Sequence, residues 1–157
     1  MSGRHAYDED HYAWTQEQAR LLREAAQQRS NTSIDWEHIA EEIEDMGKSD
    51  LRTVGSHLAR IVEHLLKLEF SPAAEPRGGW RKTVREQRAS AVDALEDSPS
   101  LRRRIALDGV FRRGRSFAID GLGQDRVDER LLPDDCPYSL DQLLDESWWP
   151  LNRHGLD

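Results

Sequence analysis

The fold class this sequence predicts is all-α, and three observations predict it. Apolar residues recur at 3.6-residue spacing in one segment after another. The interruptions between those segments are runs of Ser, Asn, Gly and Pro, which favour turns. No segment shows the strict apolar–polar alternation of a half-buried strand. At 157 residues the chain fits one domain, 1–157. About five main helices are expected over 10–120, with a short C-terminal helix in an extended tail over 121–157.

The first helix is expected from Asp10 to Gln28, with Trp14, Gln18, Leu21, Leu22 and Ala25 on its inner face. Ser30 to Ser33 end it with four turn-forming residues. Asp35 is a good N-cap for a second helix, because its carboxylate can accept from an unpaired first-turn N–H. Trp36, Ile39, Ala40, Ile43 and Met46 make its apolar stripe. Gly47 reads as a stop and Ser49 as a new cap, so an αα-hairpin is expected between the second and third helices.

The third helix has the broadest apolar face, from Leu51 through Val54, Leu58, Ile61 and Leu65 to Leu68, and belongs at the centre. Ser71-Pro72 closes it, since the residue before proline avoids helical geometry. A fourth helix over 79–97 turns Trp80, Val84, Ala91, Ala94 and Leu95 inward. Ser98-Pro99 then reads as the start of a fifth, over 99–119. Ser139 caps a short helix over 140–145, and Trp148, Trp149 and Leu151 are expected to fasten the tail.

Net charge is −8, but its distribution says more than its sum. Residues 35–50 carry seven acids against Lys48, and residues 120–157 carry ten acids against three arginines. Between them, residues 77–115 carry eleven Arg and Lys against five acids. Mutual attraction, within the fold or between subunits, is the simplest use of such blocks. Nucleic-acid binding through 77–115 is the sharper alternative. No apolar run reaches the ~20 residues of a membrane span, and the first ten residues, MSGRHAYDED, lack the apolar stretch of a secretory signal. One cysteine, Cys136, leaves no internal disulfide and suits a cytoplasmic protein.

Several segments, in order, resemble a known bacterial family, the domain of unknown function 29 family. They are YAWTQEQARLL (Tyr12 to Leu22), DWEHIAEEIEDMGKSD (Asp35 to Asp50) and HLLKLEFSP (His64 to Pro72), followed by WRKTVREQR (Trp80 to Arg88), EDSPSL (Glu96 to Leu101) and CPYSLDQLLD (Cys136 to Asp145). Residues 26–34, AQQRSNTSI, depart from the charged, aromatic-containing linker that the resemblance implies. The resemblance implies an all-helical bacterial protein and brings no established activity.

Candidate site residues lie on or beside the apolar faces of the second to fourth helices. His57 and His64 fall on nearly one line, but seven residues span about 10.5 Å of rise, too far to share one metal. No Glu-x-x-His pair of the carboxylate-bundle type and no His-Glu-x-x-His occurs, so no metal site or cofactor is expected. Arg88 could grip Glu42 with two hydrogen bonds, and Gln87 could meet His64. Such a network would hold the helices in register. The alternative is a small-anion or metal-binding protein, or an enzyme, using Glu42, His64 and Arg88, with Gln87 beside them and Lys67 and Arg85 at the rim. The favoured reading is a non-catalytic interaction or scaffold protein that binds another copy of itself or a protein partner.

Overall fold

The computed structural model describes residues 7–28 and 31–156, and among them it is helical with no strand. The helices are α1 (His11–Gln27), α2 (Trp36–Phe70), α3 (Arg77–Asp97), α4 (Leu107–Gln124) and α5 (Leu140–Leu144), with short 3-10 segments at Pro99–Arg104 and Glu129–Leu131. Ser30, in the expected break after the first helix, lies outside the described residues.

The chain divides into two compact units. The first comprises residues up to 53 and 93–104, and the second 54–92 and 105–157. Both α2 and α3 contribute to each.

In the first unit, Asp10 caps α1 by accepting from the Ala13 N–H (2.9 Å). The same carboxylate accepts from the backbone N–H (2.7 Å) and the hydroxyl (2.8 Å) of Ser100. In return the Tyr12 N–H donates to the buried Ser98 hydroxyl oxygen (3.0 Å). The N-terminus of α1 is thereby latched to the 3-10 segment, with its unpaired N–H groups satisfied. Thr15 and Ala19 are buried, while Leu21 is exposed. The inner face of α1 is thus rotated about one residue from the expected stripe, running through Thr15, Ala19, Leu22 and Ala26.

The expected hairpin at Gly47 does not form. Helix α2 runs unbroken for 35 residues, and Gly47 is buried within it. A Cβ at that position would lie 2.3 Å from Thr15 Oγ1 and 2.9 Å from Gln16 Nε2. This glycine therefore lets α1 approach α2 and ends nothing. Asp35 does cap α2, accepting from the His38 N–H (3.2 Å).

In the second unit the broad apolar face of α2 is buried as its spacing predicts. Val54, Leu58, Ile61, Val62, Leu65, Leu66 and Leu68 have almost no exposure. At about 1.5–3 kcal/mol for each large side chain, this face is the main apolar contribution to that unit. Gly114 of α4 meets it closely: a Cβ there would fall 2.6 Å from Val62 Cβ and 2.7 Å from the Ala59 carbonyl.

The expected single helix over 99–119 is divided. A 3-10 segment ends at Arg104 and α4 begins at Leu107. Ser139 closes a capping box with Gln142 at the start of α5, as its position in the sequence suggested. The tail is fastened by Trp148 and Trp149, both half-buried, but Leu151 is 89% exposed and takes no part.

Candidate binding site

Five of the six residues expected to form a site lie on α2 and α3 within the second unit, but they do not converge on one point. Arg88 is completely buried on α3, in line with Val84 and Ala91. Its Nε donates to the Leu143 carbonyl (2.9 Å) and its Nη2 to the carbonyls of Gln142 (3.1 Å) and Trp148 (2.9 Å). The guanidinium carbon sits 4.8 Å from the centre of the Trp149 ring. Burial pushes the Arg88 pKa down to about 10, and the charges of Asp145 and Glu146 partly oppose that shift. The side chain therefore stays protonated at neutral pH, with its charge spread over the tail's backbone oxygens.

The expected grip of Arg88 on Glu42 is absent, because those carbonyls hold the guanidinium and Glu42 is exposed in the first unit. Gln87 does not meet His64 either. Its Oε1 accepts from the Nδ1–H of His57 at 2.7 Å, so α2 and α3 are tied about two turns before His64. Arg85 is exposed and lies over Trp149 at 5.5 Å, beside Arg81 at 5.2 Å.

His64 and Lys67 do come together, around a residue that sequence reasoning missed. Glu63 is buried, receiving Arg60 Nη1 on one carboxylate oxygen (3.0 Å) and Lys67 Nζ on the other (3.1 Å). His64 lies 3.7 Å from that carboxylate and donates its Nδ1–H to the Arg60 carbonyl (2.9 Å). Burial lowers the His64 pKa, so the ring is neutral at physiological pH. The spacing of Arg60, Glu63 and Lys67, three and four residues apart, was the available signal. Lys67 lies against Gly121, where a Cβ would be 2.8 Å from its Cε. All four polar groups are thus occupied with one another along one helix.

The basic stretch is similarly dispersed. Arg77 reaches the Leu68 carbonyl (2.8 Å), and Arg115 reaches the carbonyls of Pro133 (3.1 Å) and Glu129 (3.1 Å). Arg102 to Arg104 are exposed in the first unit, whereas Arg112 to Arg115 belong to the second. A break before α4 separates the two runs, one ending the 3-10 segment and the other lying on α4. Basic residues of the stretch meet the acidic tail through its backbone carbonyls at Leu143 and Pro133.

In the first unit, His11 donates Nδ1–H to Asp50 (2.6 Å) in a cleft of about 370 Å³ edged by Tyr7 and Asp97. On α2, Ile39 and Met46 are 40% and 48% exposed. They lie seven residues apart and hence on one line, with the exposed Glu42 beside them. Cys136 donates its thiol to the Tyr138 carbonyl (3.1 Å), and burial raises its pKa, away from the thiolate form. Among the described residues no group of three His, Cys, Asp or Glu is placed to hold a metal ion. No helix among them is long and apolar enough to cross a membrane.

These features define an all-helical protein whose buried charged side chains clasp its own helices and tail. The chain belongs to the family described as domain of unknown function DUF29, whose model matches residues 6–149. It is also similar to an alpha-helical protein of unknown function from Rhodospirillum rubrum, known from a crystal structure. The two are 33% identical over 90% of each chain, with a TM-score of 0.80. No curated protein matches the chain.

Proposed function

We propose that this is a non-catalytic interaction protein of the cytoplasm, and that its first unit binds a second copy of the chain. One observation carries this reading: the Ile39–Met46 line of α2 is open to solvent although its spacing is that of a buried seam. A residue pair of this spacing on an exposed helix is what a neighbouring helix packs against. Charge favours the same chain as partner. The line is flanked by Glu41, Glu42 and Asp45, while Arg103 and Arg104 of the same unit are exposed.

The polar residues of the second unit fit this reading, because Arg88, Gln87, His64 and Lys67 are engaged in holding the fold. A small-anion site built from them would have to break those bonds. Light scattering after gel filtration at low and high salt tests the proposal. A dimer that dissociates in Met46→Glu, with helicity unchanged, is expected. A monomer at every salt concentration, up to millimolar protein, overturns it.

A further inference from the structure

The first unit has little core of its own. Among its described residues, the buried hydrophobic side chains are Ala19, Ala40 and Leu101. Helices α1 and α2 meet through small residues, with Thr15 against Gly47 and with Ala19 and Ala40 buried in line with them. The large apolar side chains of both helices stay outside this seam. Leu21, Ile39 and Met46 are 41%, 40% and 48% exposed, and Trp14, Leu22 and Ile43 are half-buried.

These six residues share one side of the helix pair. Counted at about 100° a residue from the Thr15–Gly47 contact, Trp14, Leu21 and Leu22 turn to one flank of α1. By the same count Ile39, Ile43 and Met46 turn to one flank of α2. Polar contacts show that the two flanks coincide. His11 and Asp50, which turn the same way as these residues, are joined at 2.6 Å. Arg23, Glu37 and Glu44 turn the opposite way, and Arg23 pairs with both carboxylates. One side of the pair is therefore tied by charge. The other is an apolar layer, braced at one end where Tyr7 meets Trp14 edge to face at 4.8 Å.

An apolar face spanning two helices is thus left open where a buried layer is expected. What the unit lacks is permanent core, so whatever covers the face must be present whenever the chain is folded. It must also be a helical layer of matching width, apolar at its centre. A second copy meets both conditions, because its own face is the same layer and a two-fold axis sets identical faces together. We infer that two copies stack their α1–α2 pairs face to face, and that the four helices form one bundle whose core completes both first units. Resting on the proposed binding of a second copy, this arrangement puts α1 in the interface beside α2 and makes its stability depend on the partner.

The test sets Leu21→Glu beside Met46→Glu in the full chain, by light scattering and circular dichroism. Leu21 lies on α1 and is already partly exposed, so its replacement should keep the helices and abolish the dimer. Hydrogen exchange of the parent chain is the second measurement. Raising the protein from well below the dimer Kd to roughly ten times that value should slow exchange along α1 about tenfold. A dimer lost in Met46→Glu but kept in Leu21→Glu overturns the bundle and leaves the binding of a second copy standing. So does α1 exchange that ignores concentration across the monomer–dimer transition, and that measurement decides if Leu21→Glu loses helicity. A parent chain that is monomeric at every concentration overturns both.

Discussion

Thr15 occupies the space that any side chain at Gly47 would need. Its Oγ1, donating to the Tyr12 carbonyl at 2.7 Å, would lie 2.3 Å from a Cβ at that glycine. Thr15 is fully buried and has nowhere to withdraw. Gly47→Ala is therefore expected to destabilise the protein by about 1–3 kcal/mol through overpacking, although alanine is the better helix former. Gly55, on the same helix, has nothing within 4 Å of the equivalent position. Gly55→Ala should stabilise by about 0.5–1 kcal/mol. Urea unfolding of the two variants should give shifts of opposite sign, and two shifts of one sign would refute the contrast.

Arg88 joins α3 to the C-terminal tail through three carbonyls and the Trp149 ring. Lysine is long enough to meet one of these oxygens but has no fork to meet all three. Each abandoned buried carbonyl costs about 1–3 kcal/mol. Arg88→Lys should therefore lower the unfolding midpoint and free the tail, seen as faster proteolytic cleavage within residues 140–156. A variant with unchanged cleavage and stability would show that these bonds contribute nothing to the tail's attachment.

His64 links stability to pH with a definite sign. Burial holds its folded pKa below the ordinary value of 6.5. As pH falls through 6.5 the unfolded chain takes up a proton first, so acidification favours unfolding. The stability that the neutral ring contributes is complete above the unfolded pKa and is lost as pH falls toward the folded one. His38, raised by its bond to Asp35, has the opposite sign but is fully exposed. Thermal midpoints measured from pH 7.5 down to 5.5 should fall less in His64→Asn than in the parent chain. Equal slopes would show that His64 does not titrate on unfolding.

The helices themselves were legible in the sequence, because their signals are local. A 3.6-residue period, a capping Asp35 or Ser139 and a stop at Pro72 act within a few residues along the chain. Asp35 and Ser139 cap as their positions indicate, and α2 ends at Phe70 just before Ser71-Pro72. The family pattern was legible for the same reason, as ordered motifs along the chain.

The placement of the polar residues was not. Gln87 and Arg88 are neighbours whose directions differ by about 100°, and only tertiary packing decides which one is buried. The partners of Arg88 are backbone carbonyls of a distant segment, and a carbonyl carries no residue identity for a sequence pattern to display. Glu63 was passed over inside an apolar run because its burial depends on Arg60 and Lys67 folding back onto it. Gly47 shows the limit most plainly. Alone it is a helix stop, since glycine is a weak helix former. Packed against Thr15 it becomes the one residue small enough for the contact, and the surrounding helix carries its conformational cost. Sequence by itself determined which stretches are helical, because that depends on near neighbours, though not that α2 runs through Gly47 or that 99–119 is divided. Tertiary structure alone decided which glycine is a contact, which arginine is a clasp and which apolar side chains stay open, because those depend on residues far along the chain.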